Sequence, residues 1–354
     1  MSVTIKDIAR KIGINFSSVS RALNNKPGVS SSTRALVIKT ANEMGYYPNI
    51  HARGLVRKET RTIGVLIPEI INPLFSELAT SIIETANENS YDIFLCISNW
   101  NPKKEREYLQ TLKEKRVDGI IMKSCDDSLE KLSDSFSIPI VGYETWPKEQ
   151  KHSFVSTDNI KGGFLGVQHL LECGYAKVAY IGGVTYSSTY NERMTGYRRA
   201  FEQRGISFES SLIYSGEYHM NSGYSLMKEL FSAHRNVDAV FAGNDVMALG
   251  VLRYLNEQGI RPGTDVGVVG FDNIQIASLP QIGLTTINQP IFSIGRIITR
   301  LLLEEIENKA MHIHLPPQKI LLEPDLMPRT TTCARPGAVH DTGQRENRSE
   351  MMVQ

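Results

Sequence analysis

From Thr62 onward the sequence alternates short runs of branched apolar residues with longer amphipathic stretches, and this alternation narrows the possible folds more than any other feature. The runs are TIGVLIP (62–68), YDIFLCI (91–97), GIIM (119–122), IPIVG (138–142), SFVST (153–157), KVAYIGG (177–183), VDAVFAG (237–243) and VGVVGFD (266–272), bounded by Gly, Pro or Asp. Runs this short and this rich in branched residues read as buried parallel strands. Between them, residues 75–89, 103–115, 161–173, 193–204, 222–234 and 246–258 carry helical patterns. Repeated strand–helix units predict doubly wound parallel sheets with right-handed crossovers. Roughly 270 residues exceed one small sheet, so two side-by-side α/β lobes are expected.

The residues before this body follow another rule. In the stretch 4–23, TIKDIARKIGINFSSVSRAL, Thr4 can cap a helix with Asp7 completing a near capping box, and Ile5, Ile8, Ala9 and Ile12 share one face. Gly13 stops that helix, Asn15 caps a second, and Val19 and Leu23 point inward. Small Ala9, turn Gly13 and branched Val19 are the spacing that two closely crossing helices of a helix-turn-helix require. After the loop NNKPGV (24–29), Ser30 caps a third helix to about Met44, with a stripe of Val37, Ile38, Ala41 and Met44, and Gly45 ends it. A core of Ile8, Ile12, Val19, Leu23, Val37 and Met44 follows, small enough to be marginal alone.

Charge separates the same two parts. Residues 1–61 contain 11 Lys/Arg and 3 Asp/Glu, leaving 28 basic against 35 acidic residues in the remainder. A basic end on an acidic body suits an end that approaches phosphates. Residues 46–61, YYPNIHARGLVRKETR, hold a helical pattern too short to persist alone, and Gly54 weakens it further.

Other classes find little support. No apolar run could span a bilayer and the amino-terminal residues lack a signal core, so a cytoplasmic protein without a membrane partner is expected. Cys96, Cys125, Cys173 and Cys333 have neither C-x-x-C nor Cys/His spacing, which argues against a metal site or disulfide framework. No P-loop, G-x-S-x-G or Cys/His dyad points to an enzyme, and no cofactor is expected. Residues 333–354 are polar, without helical period, and read as a disordered tail.

Ligands of doubly wound sheets sit at the carboxyl ends of strands. The candidates there are Asn72, Pro73, Leu74 and Phe75; Asp158 and Asn159; Arg193; Tyr218; Asn244 and Asp245; Asp272 and Asn273; and Gln289. Aromatics beside Arg, Asn, Asp and Gln suit a small polar ligand, although Asp and Asn also cap helices in such positions.

The order of parts resembles the lactose-repressor and galactose-repressor (LacI/GalR) family of bacterial transcription regulators over residues 3–332. The resemblance rests on VTIKDIARKIGINFSSVSRALNN (3–25), VSSSTRALVIKTANEMGYYPNIHARGL (29–55), TRTIGVLIPEIINPLFSEL (60–78), VDGII (117–121), STDNIKGG (156–163), RMTGYRRAF (193–201), GNDVMALG (243–250), VGFDN (269–273) and TTINQP (285–290). It implies a ligand-responsive repressor of a carbohydrate-utilisation operon, binding a pseudo-palindromic operator in double-stranded DNA as a homodimer. Phe16, Ser17 and Arg21 would face base edges, with Thr4, Ser18, Ser20, Asn24 and Ser30 toward the phosphates. Asn49 to Val56 would be a hinge helix over the minor groove, Leu55 its wedge and Ala52 the small residue allowing close approach.

The implied domains are a helix-turn-helix head (1–45), a hinge and linker (46–61) and a two-lobed, periplasmic-binding-protein-like body (62–332). Its N-lobe would take residues 62–157 and 289–318, its C-lobe 158–288 and 319–332. An effector, a sugar or sugar derivative, would lie between the lobes near Phe75, Asp158, Arg193, Tyr218, Asn244, Asp272 and Gln289.

Overall fold

The computed structural model describes residues 3–46, 59–125, 138–144 and 152–332. The hinge candidates Asn49, Ala52 and Leu55 and the tail from Cys333 lie outside them. The chain divides into two compact units, Met1–Thr60 and Arg61–Gln354.

The first unit contains α1 (Ile5–Ile12), α2 (Phe16–Leu23) and α3 (Ser31–Glu43). The capping box forms as its residue types dictate: the Asp7 amide donates to Thr4 Oγ1 at 3.4 Å, and the Thr4 amide donates to Asp7 Oδ2 at 3.0 Å. Gly13 ends α1 in the left-handed region at φ 71°, which glycine adopts without a Cβ penalty. Asn15 and Ser30 cap the next two helices by accepting from the Ser17 and Thr33 amides. Ile8, Ala9, Val19, Ala22, Val37 and Ala41 are the buried core, with Ile12, Leu23 and Met44 packed partly buried around it. Ile38, expected on the inner stripe, is 45% exposed. At about 100° per residue, the face that buries Val37 and Ala41 turns Ile38 outward.

The second unit begins with β1 (Thr62–Ile67), α4 (Pro73–Glu88), β2 (Asp92–Ile97), α5 (Pro102–Glu114), β3 (Gly119–Met122), β4 (Ile140–Tyr143) and β5 (Ser153–Thr157). It continues with α6 (Asn159–Glu172), β6 (Val178–Gly182), α7 (Ser188–Gln203), β7 (Ile213–Ser215), α8 (Met220–Ala233), β8 (Ala239–Ala242), α9 (Asp245–Glu257) and β9 (Gly267–Asp272). Last come β10 (Thr285–Asn288), α10 (Ile291–Ala310), β11 (Lys319–Leu322) and β12 (Asp325–Met327). Among the described residues two six-stranded sheets result, ordered β11-β5-β4-β3-β1-β2 and β12-β10-β9-β8-β6-β7.

Three expectations change. The stretch 91–97, read as a buried strand, forms β2 at a sheet edge, where Phe94 and Leu95 are each 42% exposed. Strand pairing is not wholly parallel, because β12 runs antiparallel to β10. Residues 319–322, assigned to the C-lobe, form β11 and pair with β5 in the first sheet, so the last crossing between lobes falls after Leu322. The segment satisfies the free edge of β5 before it leaves.

The α10 helix, absent from the helical stretches identified above, covers the first sheet with α4. Ile294, Ile298 and Leu302 join Leu78 and Ile82 in its core, and Ser81 Oγ donates to the Phe292 carbonyl at 2.7 Å. A separate core beneath the second sheet gathers Met227, Leu230, Val251 and Leu255.

In each sheet the strand order reverses beside the first strand of the lobe, between β1 and β3 and between β6 and β8. At such switch points the connections leave to opposite faces, so a crevice opens at the strands' carboxyl ends.

Candidate effector site

A cavity of about 480 Å³ occupies that position and is lined from both sheets. The first lobe contributes Asn72 and Phe75 after β1, Trp100 after β2, Lys123 after β3, and Tyr143 and Glu144 at the end of β4. The second contributes Thr189 and Arg193 on α7, Tyr218 after β7, Asn244 after β8 and Asp272 ending β9.

Arg193 is 2% exposed and carries the polar framework of the second lobe. Its Nε donates to Asn159 Oδ1 at 2.9 Å, Nη1 donates to the Gly243 carbonyl, and Nη2 lies 3.8 Å from Asp272 Oδ1. It reaches this place because α7 packs tightly on α6: a Cβ at Gly163 would lie 2.4 Å from the Arg193 carbonyl oxygen. Gln289 stands behind Asp272 and donates from Nε2 to its Oδ1 at 2.7 Å. Asp272 Oδ2 is buried and has no hydrogen-bond partner among the described residues, an acceptor waiting for a donor. Asp272 also holds φ at 119°, a strained conformation of the kind that gathers at ligand clamps.

Burial pushes the Asp272 carboxyl up to about 7, against the pull of Arg193 and the hydrogen bond from Gln289. Behind it, burial and the Asp272 charge also push the wholly buried Asp245 carboxyl up, and its two oxygens accept from Thr286 Oγ1 at 2.6 Å and from the Ile274 amide at 2.9 Å.

Across the cavity, Lys123 Nζ lies 2.5 Å from Glu144 Oε2, and Thr189 Oγ1 of the other lobe donates to the same oxygen at 2.9 Å. Burial alone would raise the Glu144 carboxyl, but Lys123, Arg193 and the hydrogen bonds outweigh it and hold it below its ordinary value.

Aromatic rings complete the wall. Phe75 and Trp100 meet edge to face with centroids 5.9 Å apart. The Tyr218 ring lies over the end of β6, where a Cβ at Gly183 would fall 2.0 Å from it, so this glycine makes room for an aromatic wall. Burial raises the Tyr218 hydroxyl to about 12, leaving it protonated.

Five expected effector residues, Phe75, Arg193, Tyr218, Asn244 and Asp272, meet at this cavity. Asp158 does not line it: its Oδ1 caps α6 by accepting from the Lys161 amide at 2.9 Å. Nor does Gln289 line it: its Nε2 donates to Asp272 Oδ1 and its Oε1 accepts from the Tyr143 hydroxyl at 3.4 Å. Lys123, Glu144, Trp100 and Thr189 were missed. Lys123 and Glu144 follow β3 and β4 directly and Trp100 comes three residues after β2, so the strand-end rule reaches them, although the sequence pattern alone ends β4 at Gly142. Thr189 lies one helical turn before Arg193, a signal visible only once α7 is known to begin at Ser188.

In the head, Phe16, Ser17 and Arg21 are exposed on α2, with Phe16 at 58%. Ser18 and Ser20 are half-buried, while Thr4, Asn15 and Ser30 act as caps. Asn24 donates from Nδ2 to the Ser20 carbonyl at 2.8 Å, occupying part of its capacity. Arg34 donates to the Ala22 and Lys26 carbonyls at 3.0 and 2.8 Å and ties the loop after α2 to α3.

A helix-turn-helix unit, followed by a two-lobed α/β unit with a polar, aromatic-walled cavity, defines a ligand-binding DNA regulator. Residues 4–49 match the bacterial regulatory proteins of the lacI family, and residues 60–318 match the periplasmic binding proteins and sugar binding domain of the LacI family. The chain belongs to the LacI family of DNA-binding transcriptional regulators.

It is 34% identical to the HTH-type transcriptional regulator DegA of Bacillus subtilis (strain 168), covering 94% of this chain and 98% of that protein. Among solved structures it resembles the transcriptional regulator CelR–cellobiose complex, with 30% identity, a TM-score of 0.70 and coverage of 93% and 99% of the two chains. It also resembles the lac repressor dimer bound to operator and an anti-inducer, with 25% identity, a TM-score of 0.83 and coverage of 94% and 100%. Among the described residues no helix is long and apolar enough to cross a membrane, and no cluster of His, Cys, Asp or Glu could hold a metal ion.

Proposed function

We propose that this regulator is a repressor of a carbohydrate-utilisation operon that binds a pseudo-palindromic operator as a homodimer and takes a sugar or sugar derivative between its lobes. The observation that carries the effector reading is the cavity, where Arg193, Asn244 and Asp272 offer donors and acceptors beside the rings of Phe75, Trp100 and Tyr218. Hydroxyls of a sugar match the polar groups, and its C–H faces match the rings.

In the head, exposed Phe16, Ser17 and Arg21 are the base-reading set, and the caps Thr4 and Ser30 bring helix amino termini toward phosphates. The sequence 49–56 serves as the hinge that orders on the operator, with Leu55 as wedge and Asn49 and Ala52 supporting it. A ligand that favours one arrangement of the lobes shifts the population able to order the hinge.

Footprinting of the chain's own promoter region, with and without ligands selected by a thermal-shift screen of sugars, tests this directly. The expected result is a protected site with two-fold symmetric halves whose occupancy changes on adding a sugar. No protection on any genomic fragment would overturn it.

A further inference from the structure

Among the described residues the cavity is lined by four charged side chains, arranged as two closed pairs. Lys123 and Glu144 form one at 2.5 Å, their side chains 10% and 6% exposed. Arg193 and Asp272 form the other at 3.8 Å, each 2% exposed. Neither cation is idle. The Glu144 oxygen that faces Lys123 also accepts from Thr189, and Arg193 is further engaged by Asn159, the Gly243 carbonyl and the Phe271 ring.

A phosphate or carboxylate entering such a site finds, among the described lining residues, no cation without a carboxylate partner, and meets two carboxylates. Taking Lys123 from Glu144 would leave that carboxylate buried and alone, and sharing Lys123 with Glu144 would bury two anions beside one cation; both are costly outcomes for a buried ion pair. Nor does an ionised phosphate or carboxylate group carry a proton for Asp272 Oδ2, the buried acceptor without a partner. A hydroxyl does.

We propose that the Lys123–Glu144 pair is a charge filter: the cavity takes an uncharged polyhydroxylated ligand and rejects its phosphorylated or carboxylated counterpart, with Glu144 as the specificity-determining residue. This rests on the reading of the cavity as a sugar-effector site.

The test is calorimetric titration of the full chain at about pH 8, where Asp272 is ionised, against cellobiose and cellobionate, glucose and glucose 6-phosphate, and ribose and ribose 5-phosphate. Within the pair that binds, the neutral member is expected to bind at least about a hundredfold tighter. Glu144→Gln, which leaves Lys123 unpaired, should narrow that gap at least about tenfold. Lys123→Met, which leaves the Glu144 carboxylate uncompensated, should widen it.

Opposite movement of the ratio in the two variants is the signature, since a merely structural loss weakens both ligands alike. Equal or tighter binding of the charged member by the native chain, or movement of the ratio in the same direction in both variants, overturns the filter. If no member of any pair binds, the sugar-effector reading falls, and the filter with it.

Discussion

The guanidinium carbon of Arg193 lies 3.5 Å from the centroid of the Phe271 ring, while the next residue, Asp272, faces the same guanidinium at 3.8 Å. One strand thus supplies both a ring and a counter-ion to an arginine from a neighbouring helix. Desolvated cation–π contacts contribute about 2 kcal/mol, and the ion pair compensates the charge that burial would otherwise penalise.

Arg193→Ala should accordingly do two things. It strands Asp272 and the Gly243 carbonyl, destabilising the body by roughly 3 kcal/mol, and it removes the polar centre of the cavity. Thermal-shift and mobility-shift assays on one preparation should show the ligand-induced shift abolished and operator binding retained. A preserved ligand response would move the effector elsewhere.

Phe16 and Thr4 separate reading from folding. Phe16 is 58% exposed at the start of α2, so Phe16→Ala should change stability by less than about 0.5 kcal/mol while weakening specific DNA binding. Thr4→Ala removes the side-chain half of the capping box, leaving the residue-4 amide to donate to Asp7, and should cost the head about 1 kcal/mol. Comparison of thermal unfolding with operator affinity checks both. A Phe16→Ala protein with undiminished operator affinity would remove that residue from the interface.

Asp272 gives a pH signature. Its folded carboxyl is raised from 3.8 to about 7, chiefly by burial, so between those values the native state binds more protons than the unfolded chain. Stability contributed by this group therefore falls as pH rises, by at most about 1.4 kcal/mol per unit. Asp272→Asn should flatten that dependence, its urea midpoint gaining on the native protein's between about pH 5 and about pH 7. A constant difference across that range would contradict the assignment.

The helix-turn-helix was legible because each of its determinants is local: Thr4 with Asp7, Gly13 at its positive φ, and Asn15 with the Ser17 amide all act within a turn. Most strands of the body were legible from composition. β2 was misread because its branched residues promise burial whether or not another strand covers the edge. The placement of 319–322 failed for a related reason, since pairing with β5 is a contact 165 residues away in sequence between Lys319 and Phe154.

What the amino-acid sequence determined by itself was the order of parts, the basic head on an acidic body, and the residue types available at strand ends, because caps, turns and hydrophobic periods act over a few residues. Only the tertiary structure decided which of those residues meet. It turned Asp158 into a helix cap, set Gln289 behind Asp272, and joined Lys123, Glu144 and Thr189 from separate elements. Convergence at a switch point depends on sheet order and helix crossing, and these are settled by long-range burial that no short stretch of sequence encodes.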